Sequence, residues 1–244
     1  MKKNKKKILA GDKIKTSRSN WKFSKSVVKV FDKHVSTSVP LYSEAHKLIC
    51  KMSDYFIKEK SNIIDIGSST GTLINLLNKR HEVKSKVKFI GIESEKEMVL
   101  ASKKKTKNKN IKFIQKKIQN IILPKNDMTC SVYTIQFIPP SQRQIIYNKI
   151  YKSLNWGGAF FLFEKVRGPD ARFQDILTGT YNDYKHEAGY NYEEIASKTQ
   201  SFKISDTSND LMRFGVNVNN NSVTTAGSTS QGFTGFTIAK VADV

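Results

Sequence analysis

Asp65, Gly67, Gly71 and Glu93 are the residues whose types and spacing best suit chemistry. The run Ile63-Ile64-Asp65-Ile66 ends in Gly67-Ser68-Ser69-Thr70-Gly71, which reads as a buried strand turning sharply into a helix. A glycine has no Cβ and tolerates positive φ, so the backbone of such a turn can approach a ligand closely. In open α/β sheets, ligands bind outside the carboxyl ends of the strands, where this turn would lie. Glu93 follows Phe89-Ile90-Gly91-Ile92, 22 residues after Gly71. An acid at the tip of a second strand can accept hydrogen bonds from both hydroxyls of a ribose. The combination predicts a site for a nucleoside-bearing ligand. It is not the dinucleotide fingerprint G-x-G-x-x-G, because Ser69 stands where the middle glycine would be.

Other chemistries find little support. His34, His46, His81 and His186 are scattered, and none falls into a Ser/His/Asp or Cys/His arrangement. Cys50 and Cys130 lie in apolar surroundings without metal-ligand spacing and read as buried thiols. No carboxylate cluster suggests a metal, so no metal site is expected.

The elements that must position these residues alternate along the chain. A short helix over 24–31, broken by Ser38-Val39-Pro40, precedes one in which Ala45, Leu48, Ile49, Met52, Tyr55 and Phe56 share a face. Then come strand 62–66, helix 71–79, strand 87–92, helix 95–104, strand 111–114 and strand 128–134. Ser141 with Gln144 suggests a capping box for the next helix. Trp156-Gly157-Gly158 reads as a turn before the wholly apolar strand Ala159-Phe160-Phe161-Leu162-Phe163. Such alternation predicts a doubly wound, mostly parallel sheet with helices on both faces. Residues 168–200 read as helical, interrupted at Gly189-Tyr190, and 213–241 as an antiparallel hairpin closing the sheet. The expected organisation is a basic, mobile tail over 1–20 and one domain over 21–244. Within that domain, 21–60 form a helical cap, 61–165 the core, 166–210 a helical insertion and 211–244 the hairpin.

Composition adds a strong constraint. The net charge is +21 over 244 residues. Residues 1–33 hold twelve Lys/Arg against two Asp, and residues 96–117 hold nine Lys against Glu97, so +10 and +8 leave +3 elsewhere. Two such patches suit a polyanion, and nucleic acid is the expected partner for the lysines of 2–33 and 96–117. A lysine- and asparagine-rich coding bias is the competing explanation. No apolar run approaches a membrane span, and the basic N-terminus lacks the apolar region of a secretory signal, so a cytoplasmic protein is expected.

A second constellation is more specific. Tyr133-Thr134-Ile135-Gln136-Phe137-Ile138-Pro139-Pro140-Ser141-Gln142-Arg143 is followed by Ile150-Tyr151-Lys152-Ser153-Leu154-Asn155-Trp156-Gly157-Gly158 and then Glu164-Lys165. This stretch resembles the carboxy-S-adenosylmethionine (carboxy-SAM) synthases, and the glycine turn resembles motif I of the class I S-adenosylmethionine (SAM) methyltransferases. Upstream, Trp21, Phe23, Val27, Val30-Phe31 and Ser38-Val39-Pro40 with Tyr42 match; downstream, Asp183-Tyr184-Lys185, Gly189-Tyr190 and Glu194-Ile195 match. The likeness covers about residues 21–200.

The resemblance implies a Rossmann-like class I methyltransferase fold with a seven-stranded sheet and a C-terminal antiparallel hairpin, in a homodimer. It implies SAM as cofactor, with carboxy-SAM or S-adenosylhomocysteine as bound alternatives. The implied reaction takes a carboxylate from prephenate, through a sulfonium ylide, for a partner enzyme that modifies a tRNA wobble uridine. Carried over by position, Asp65, Gly67, Ser68, Ser69 and Gly71 would cradle the cofactor, and Glu93 with Ser94 would meet its ribose. Lys117 and Ile118 would lie at the adenine, and Gln136 with Tyr42 near the sulfonium. Lys198 and Tyr190 would meet the substrate carboxylate; no catalytic residue is assigned. The chain departs from the family at Thr37, Lys117 and Thr199, which stand in place of Arg, Asp and Arg. Arg grips a carboxylate bidentately, whereas Lys198 is a point charge. Plain methyl transfer to nucleic acid or a small molecule, or a non-catalytic binding role, therefore remain alternatives.

Overall fold

The computed structural model describes residues 8–9, 11–12, 14–16, 23–201 and 234–237. In chain order these form β1 (Ile8–Leu9), β2 (Lys15–Thr16), α1 (Lys25–Ser38), α2 (Tyr42–Met52), β3 (Asn62–Ile66), α3 (Thr72–Arg80), β4 (Lys88–Glu93) and α4 (Lys96–Lys105). They continue with β5 (Ile111–Gln115), β6 (Asn126–Val132), α5 (Pro140–Ser153), β7 (Leu154–Lys165), α6 (Ala171–Glu187), α7 (Tyr192–Ser201) and β8 (Thr234–Thr237). The chain divides into two compact units: Met1–Trp21 with Pro139–Ser141 and Arg167–Gly232, and Lys22–Ile138 with Gln142–Val166 and Phe233–Val244.

The larger unit holds a sheet in the order β5-β4-β3-β6-β7-β8. The first five strands are parallel and β8 runs antiparallel to β7. The sheet thus has six strands among the described residues, not the expected seven. The expected hairpin counted two strands in 213–241, of which the described residues contain Thr234–Thr237 alone. Its other arm and Trp21 lie outside the described residues. No helix among the described residues is long and apolar enough to cross a membrane.

Side chains alternate across β3, as a period of two requires. Ile63 joins the core made with Ala45, Ile49, Leu73, Ile74, Leu77 and Val99 of α2, α3 and α4. Ile64 and Ile66 join the opposite core with Ile146 and Ile150 of α5. Full burial of one such side chain is worth roughly 1.5–3 kcal/mol, so both faces of β3 are firmly held. From β3 the chain winds outward through β4 and β5, then returns to place β6 on the other side. The carboxyl ends of β3 and β6 therefore flank a topological switch point.

Two local expectations change. Trp156-Gly157-Gly158 lies inside the twelve-residue β7, where Asn126↔Leu154 steps to Met128↔Ala159, so the segment bulges out of the ladder instead of preceding it. Gly157 takes φ 73° there, with open space where a Cβ would be. Helix α5 starts at Pro140, placing Ser141 inside the helix and not at its cap. Proline suits that first turn because its missing N–H would have no helical acceptor there.

The smaller unit contains the β1–β2 ladder, α6 and α7. Asp170 caps α6 by accepting the Phe173 N–H at 2.9 Å. Asn191 and Glu194 form a reciprocal cap for α7, each side chain accepting the other's N–H, at 2.9 and 3.1 Å.

Candidate functional site: two glutamate-held turns at the switch point

The turn after β3 starts at Gly67, whose φ is 73°. Its N–H donates to Ile92 O at 2.8 Å, and Gly71 N–H donates to Ser68 O at 2.7 Å. A Cβ on Gly67 would lie 2.1 Å from Thr134 Oγ1, so glycine is required by contact as well as by conformation. Gly71, with φ 78°, begins α3, and its Cβ would meet the Phe113 ring at 2.7 Å. Glu93, at the tip of β4, holds this turn. Its Oε2 accepts the Ser69 N–H and its Oε1 the Glu95 N–H, both at 2.9 Å. Ser94 Oγ donates to the same Oε1 at 3.4 Å. Burial pushes the Glu93 carboxyl above its usual range, and the Glu95, Ser69 and Ser94 donors pull it part of the way back.

Asp65 lies one residue inside β3 and is almost wholly buried. Desolvation, reinforced by the like charge of Glu93, raises its carboxyl to about 8. It therefore sits mostly protonated near neutral pH, ready to ionise beside a cation.

The turn after β6 repeats the construction. Tyr133 takes φ 52° and donates its N–H to Phe163 O at 2.7 Å. Glu164, at the tip of β7, accepts the Ile135 N–H at 2.9 Å and the Gln136 N–H at 2.7 Å. Burial pushes Glu164 up to about 7, against the pull of those donors and the Arg143 charge. Arg143 donates to Ile138 O at 2.8 Å and Gln136 O at 2.9 Å, closing the turn from α5. The Gln136 side chain accepts the Lys165 N–H at 2.8 Å. Tyr133 donates its hydroxyl to Pro40 O at 3.2 Å and stacks on Tyr42, the first residue of α2. Burial raises the Tyr42 hydroxyl further, with Asp65 and Asp32 adding to the effect.

The other expected residues are placed as follows. Lys117 is exposed and caps the short 3-10 turn Ile118–Asn120; Lys116 N–H donates to Glu93 O at 3.0 Å, tying that segment to β4. Ile118 is buried in the α5-side core. Ser68 is buried, and its Oγ has no hydrogen-bond partner among the described residues. Thr37 donates its hydroxyl to Lys33 O within α1 at 2.8 Å. Tyr190 and Lys198 belong to the smaller unit. There the Tyr190 hydroxyl donates to Asp12 at 2.7 Å, and its ring fills the space a Cβ on Gly11 would need.

Two residues without a motif of their own also shape the larger unit's site. Asp32 of α1 accepts from Thr70 Oγ1 at 2.5 Å and Thr72 Oγ1 at 3.1 Å, and pairs with Lys105 at 2.9 Å. Burial pushes its carboxyl up, but the Thr70, Lys105 and Thr72 contacts more than reverse that and leave it low. Lys149 of α5 donates to the carbonyls of Ile118, Gln119 and Ile121, anchoring the segment after Lys117. The sole sequence signal for Asp32 is an acid set among bases; Lys149 has none. Among the described residues, no group of three or more His, Cys, Asp or Glu is placed to hold a metal ion.

The site fits a cationic nucleoside. A buried carboxylic acid awaits a positive charge, and each Glu93 oxygen retains acceptor capacity beyond the N–H it accepts. A family profile described as a methyltransferase domain matches residues 57–206. Among solved structures, the plantazolicin methyltransferase BpumL in complex with a triazolic analog and SAH is similar at a TM-score of 0.51. It is 15% identical and aligned over 71% of this chain and 61% of that one, a likeness of fold. These features define a class I methyltransferase fold. The carboxy-SAM synthase of Staphylococcus epidermidis is 35% identical, covering 75% of this chain and 80% of that protein. Those of Campylobacter lari and Trichodesmium erythraeum are 32% and 34% identical, covering 78% and 74% of this chain and 80% and 72% of theirs. The chain belongs to the carboxy-SAM synthase family and is a SAM-dependent transferase.

Proposed function

We propose that the protein makes carboxy-SAM: prephenate gives up its ring carboxylate as CO2 and its ring hydroxyl as hydroxide, leaving phenylpyruvate, while the methyl carbon of SAM loses a proton to that hydroxide, forming water, and bonds to the CO2. The observation that carries the reading is the run of relatives bearing that name at 30–35% identity over about three quarters of the chain. The two glutamate-held turns at the switch point support it. When bound, SAM supplies a methyl group activated by the positive charge on its sulfur.

The chain's own residues supply binding and orientation. Gly67, Ser68, Ser69 and Gly71 let the backbone approach the ligand, and Glu93 with Ser94 accepts from and donates to the ribose. Asp65 answers the ligand's cationic amino group by giving up its proton. Lys117 and Ile118 border the adenine, with Lys149 holding their segment in place. Gln136 and Tyr42 face the sulfonium end, with Glu164 and Arg143 fixing the turn that carries Gln136. By sequence likeness alone, Lys198 and Tyr190 are assigned to the substrate carboxylate. Thr37, Lys117 and Thr199 favour one competitor, plain methyl transfer, which needs an acceptor held in line but no carboxylate clamp.

The deciding experiment incubates the protein with SAM and prephenate and reads the products by mass spectrometry. Carboxy-SAM and phenylpyruvate in equal amounts are expected. Labelled methyl appearing on another acceptor, with no carboxy-SAM, would replace this reading by methyl transfer. SAM should also raise the melting temperature, since a ligand selective for the folded state stabilises it.

A further inference from the structure

The two lysine-rich stretches, 1–33 and 96–117, are far apart in sequence, but the fold brings their described parts together. Asp32 is where they meet: Lys105, in the last turn of α4, reaches across to it at 2.9 Å and to Thr72 Oγ1 at 3.1 Å. Lys29 and Lys25 stand one and two turns before Asp32 on the same face of α1, at helical spacings of three and seven. Both are exposed. Lys103, Lys104 and Lys107, at the end of α4 and just beyond it, are exposed as well. Asp32 neutralises one of these charges, and the rest face solvent.

Two ordinary explanations fall short here. Lysines near a helix C-terminus complement its dipole, but that effect fades within one turn and cannot account for Lys25 and Lys29 in the first half of α1. Lysine on an edge strand blocks edge-to-edge pairing, which explains Lys112 on β5 but not lysines on two helices.

We infer that the joined α1–α4 face is a docking surface for the sugar-phosphate backbone of a nucleic-acid double helix, read without regard to sequence. The chemistry selects that occupant. No aromatic side chain is exposed in 25–33 or 100–112, so single-stranded bases have nothing to stack on. Leu100 is the one large apolar side chain exposed there among the described residues, which is too little to insert into a lipid surface. Closely spaced lysine charges match a duplex, which carries the denser array of phosphates. The inference stands apart from the proposed reaction, since none of these lysines is placed at the cofactor.

The test uses the full chain and 20-base-pair duplexes of RNA and DNA, with binding followed by fluorescence anisotropy across a salt series. Either duplex should bind, with affinity falling steeply as salt rises. The variant K25E/K29E/K104E should bind at least about tenfold more weakly, and its log–log salt slope should flatten by roughly 0.9 for each phosphate that is no longer neutralised. K47E/K51E/K58E, which removes the same charge from α2 and the segment after it, should stay within about threefold of the parent. Equal weakening by both triples would mean a general effect of net charge and would overturn the inference. So would unchanged binding by K25E/K29E/K104E, tighter binding of single strands, or equal binding to polyglutamate or anionic vesicles. An unaltered SAM-induced rise in melting temperature shows that the variants remain folded. If K25E/K29E/K104E fails that check, K25Q/K29Q/K104Q takes its place, with threefold or greater weakening expected.

Discussion

The turn after β3 and the turn after β6 leave adjacent central strands at their carboxyl ends, and they are built to one plan. Each begins with a residue in the left-handed region, Gly67 at φ 73° and Tyr133 at φ 52°. In each, that residue's N–H donates to the carbonyl before a glutamate on the next strand out, and the glutamate accepts the N–H two residues further on. They differ in how the awkward backbone is made tolerable. Gly67 needs no offset and must stay small, because Thr134 of the other turn fills the space a Cβ would take. Tyr133 bears a left-handed cost of roughly 1–2 kcal/mol. Its buried ring, stacked on Tyr42, offsets that cost. A turn whose neighbour fills the space beside it keeps that position small, whereas a turn backed by the core can carry an aromatic anchor.

The contact between the turns can be broken most severely at Gly67. Gly67→Ala should cost about 4 kcal/mol, combining overpacking with a left-handed alanine. Urea denaturation would measure the loss. Adding Thr134→Ala should recover part of it, because two of the three clashing atoms disappear; no recovery would mean that the turns are not coupled there.

The glutamates come next. Glu164→Ala leaves the Ile135 and Gln136 N–H groups without their acceptor and should cost roughly 3 kcal/mol. Glu93→Ala should cost a similar amount, but it should also lower SAM affinity more than Glu164→Ala, as isothermal titration would reveal. Equal losses of affinity would erase the division between a ligand-facing turn and a supporting one.

A smaller effect appears with pH. Glu164 is raised from 4.5 to about 7 and Asp65 from 3.8 to about 8, so each binds its proton more tightly in the folded state. Their contribution is full below the unfolded values and is lost as pH rises through the folded ones. Stability should therefore fall by about 2 kcal/mol for each of the two groups between pH 5 and 7. Lys165, lowered by burial to about 8, adds stability with rising pH only above that window. Glu164→Gln and Asp65→Asn should each flatten the slope. In the wild type, SAM affinity should rise towards pH 8, because Asp65 must release its proton to meet a cation. Asp65→Asn should abolish that rise.

Ser69 gives the smallest effect. It adopts φ 48° inside the glycine turn. Ser69→Gly should relieve that backbone and raise stability by roughly 0.5–1 kcal/mol, visible as a small upward shift in the denaturation midpoint. A loss would mean that the Ser69 hydroxyl, which donates to Gly67 O at 3.3 Å, outweighs the strain.

Much of the first turn was legible in the sequence because its parts are local. The apolar run, the two glycines and the acid closing the next strand fall within about thirty residues, and the parallel sheet follows from the alternation around them. The second turn was legible only as a pattern. Glu164 and Arg143 stand in the stretch that resembles the family, but their part in holding Gln136 depends on β7 lying beside β6. Asp32 was not legible, since its partners Thr70 and Lys105 are 38 and 73 residues away. The bulge at Trp156–Gly158 was misread because pairing between strands, not local propensity, decides it.

By itself the sequence determined the periodicities that make β3 a strand buried on both faces, the glycines that let its turn form, and the uneven distribution of positive charge. Those features act through neighbouring residues, whose geometry the backbone dictates. Tertiary structure decided which glutamate holds which turn, that Gly67 must yield its space to Thr134, and that Lys105 of α4 pairs with Asp32 of α1. Each of these joins residues that only the strand order and the packing of α1 against α4 bring within reach.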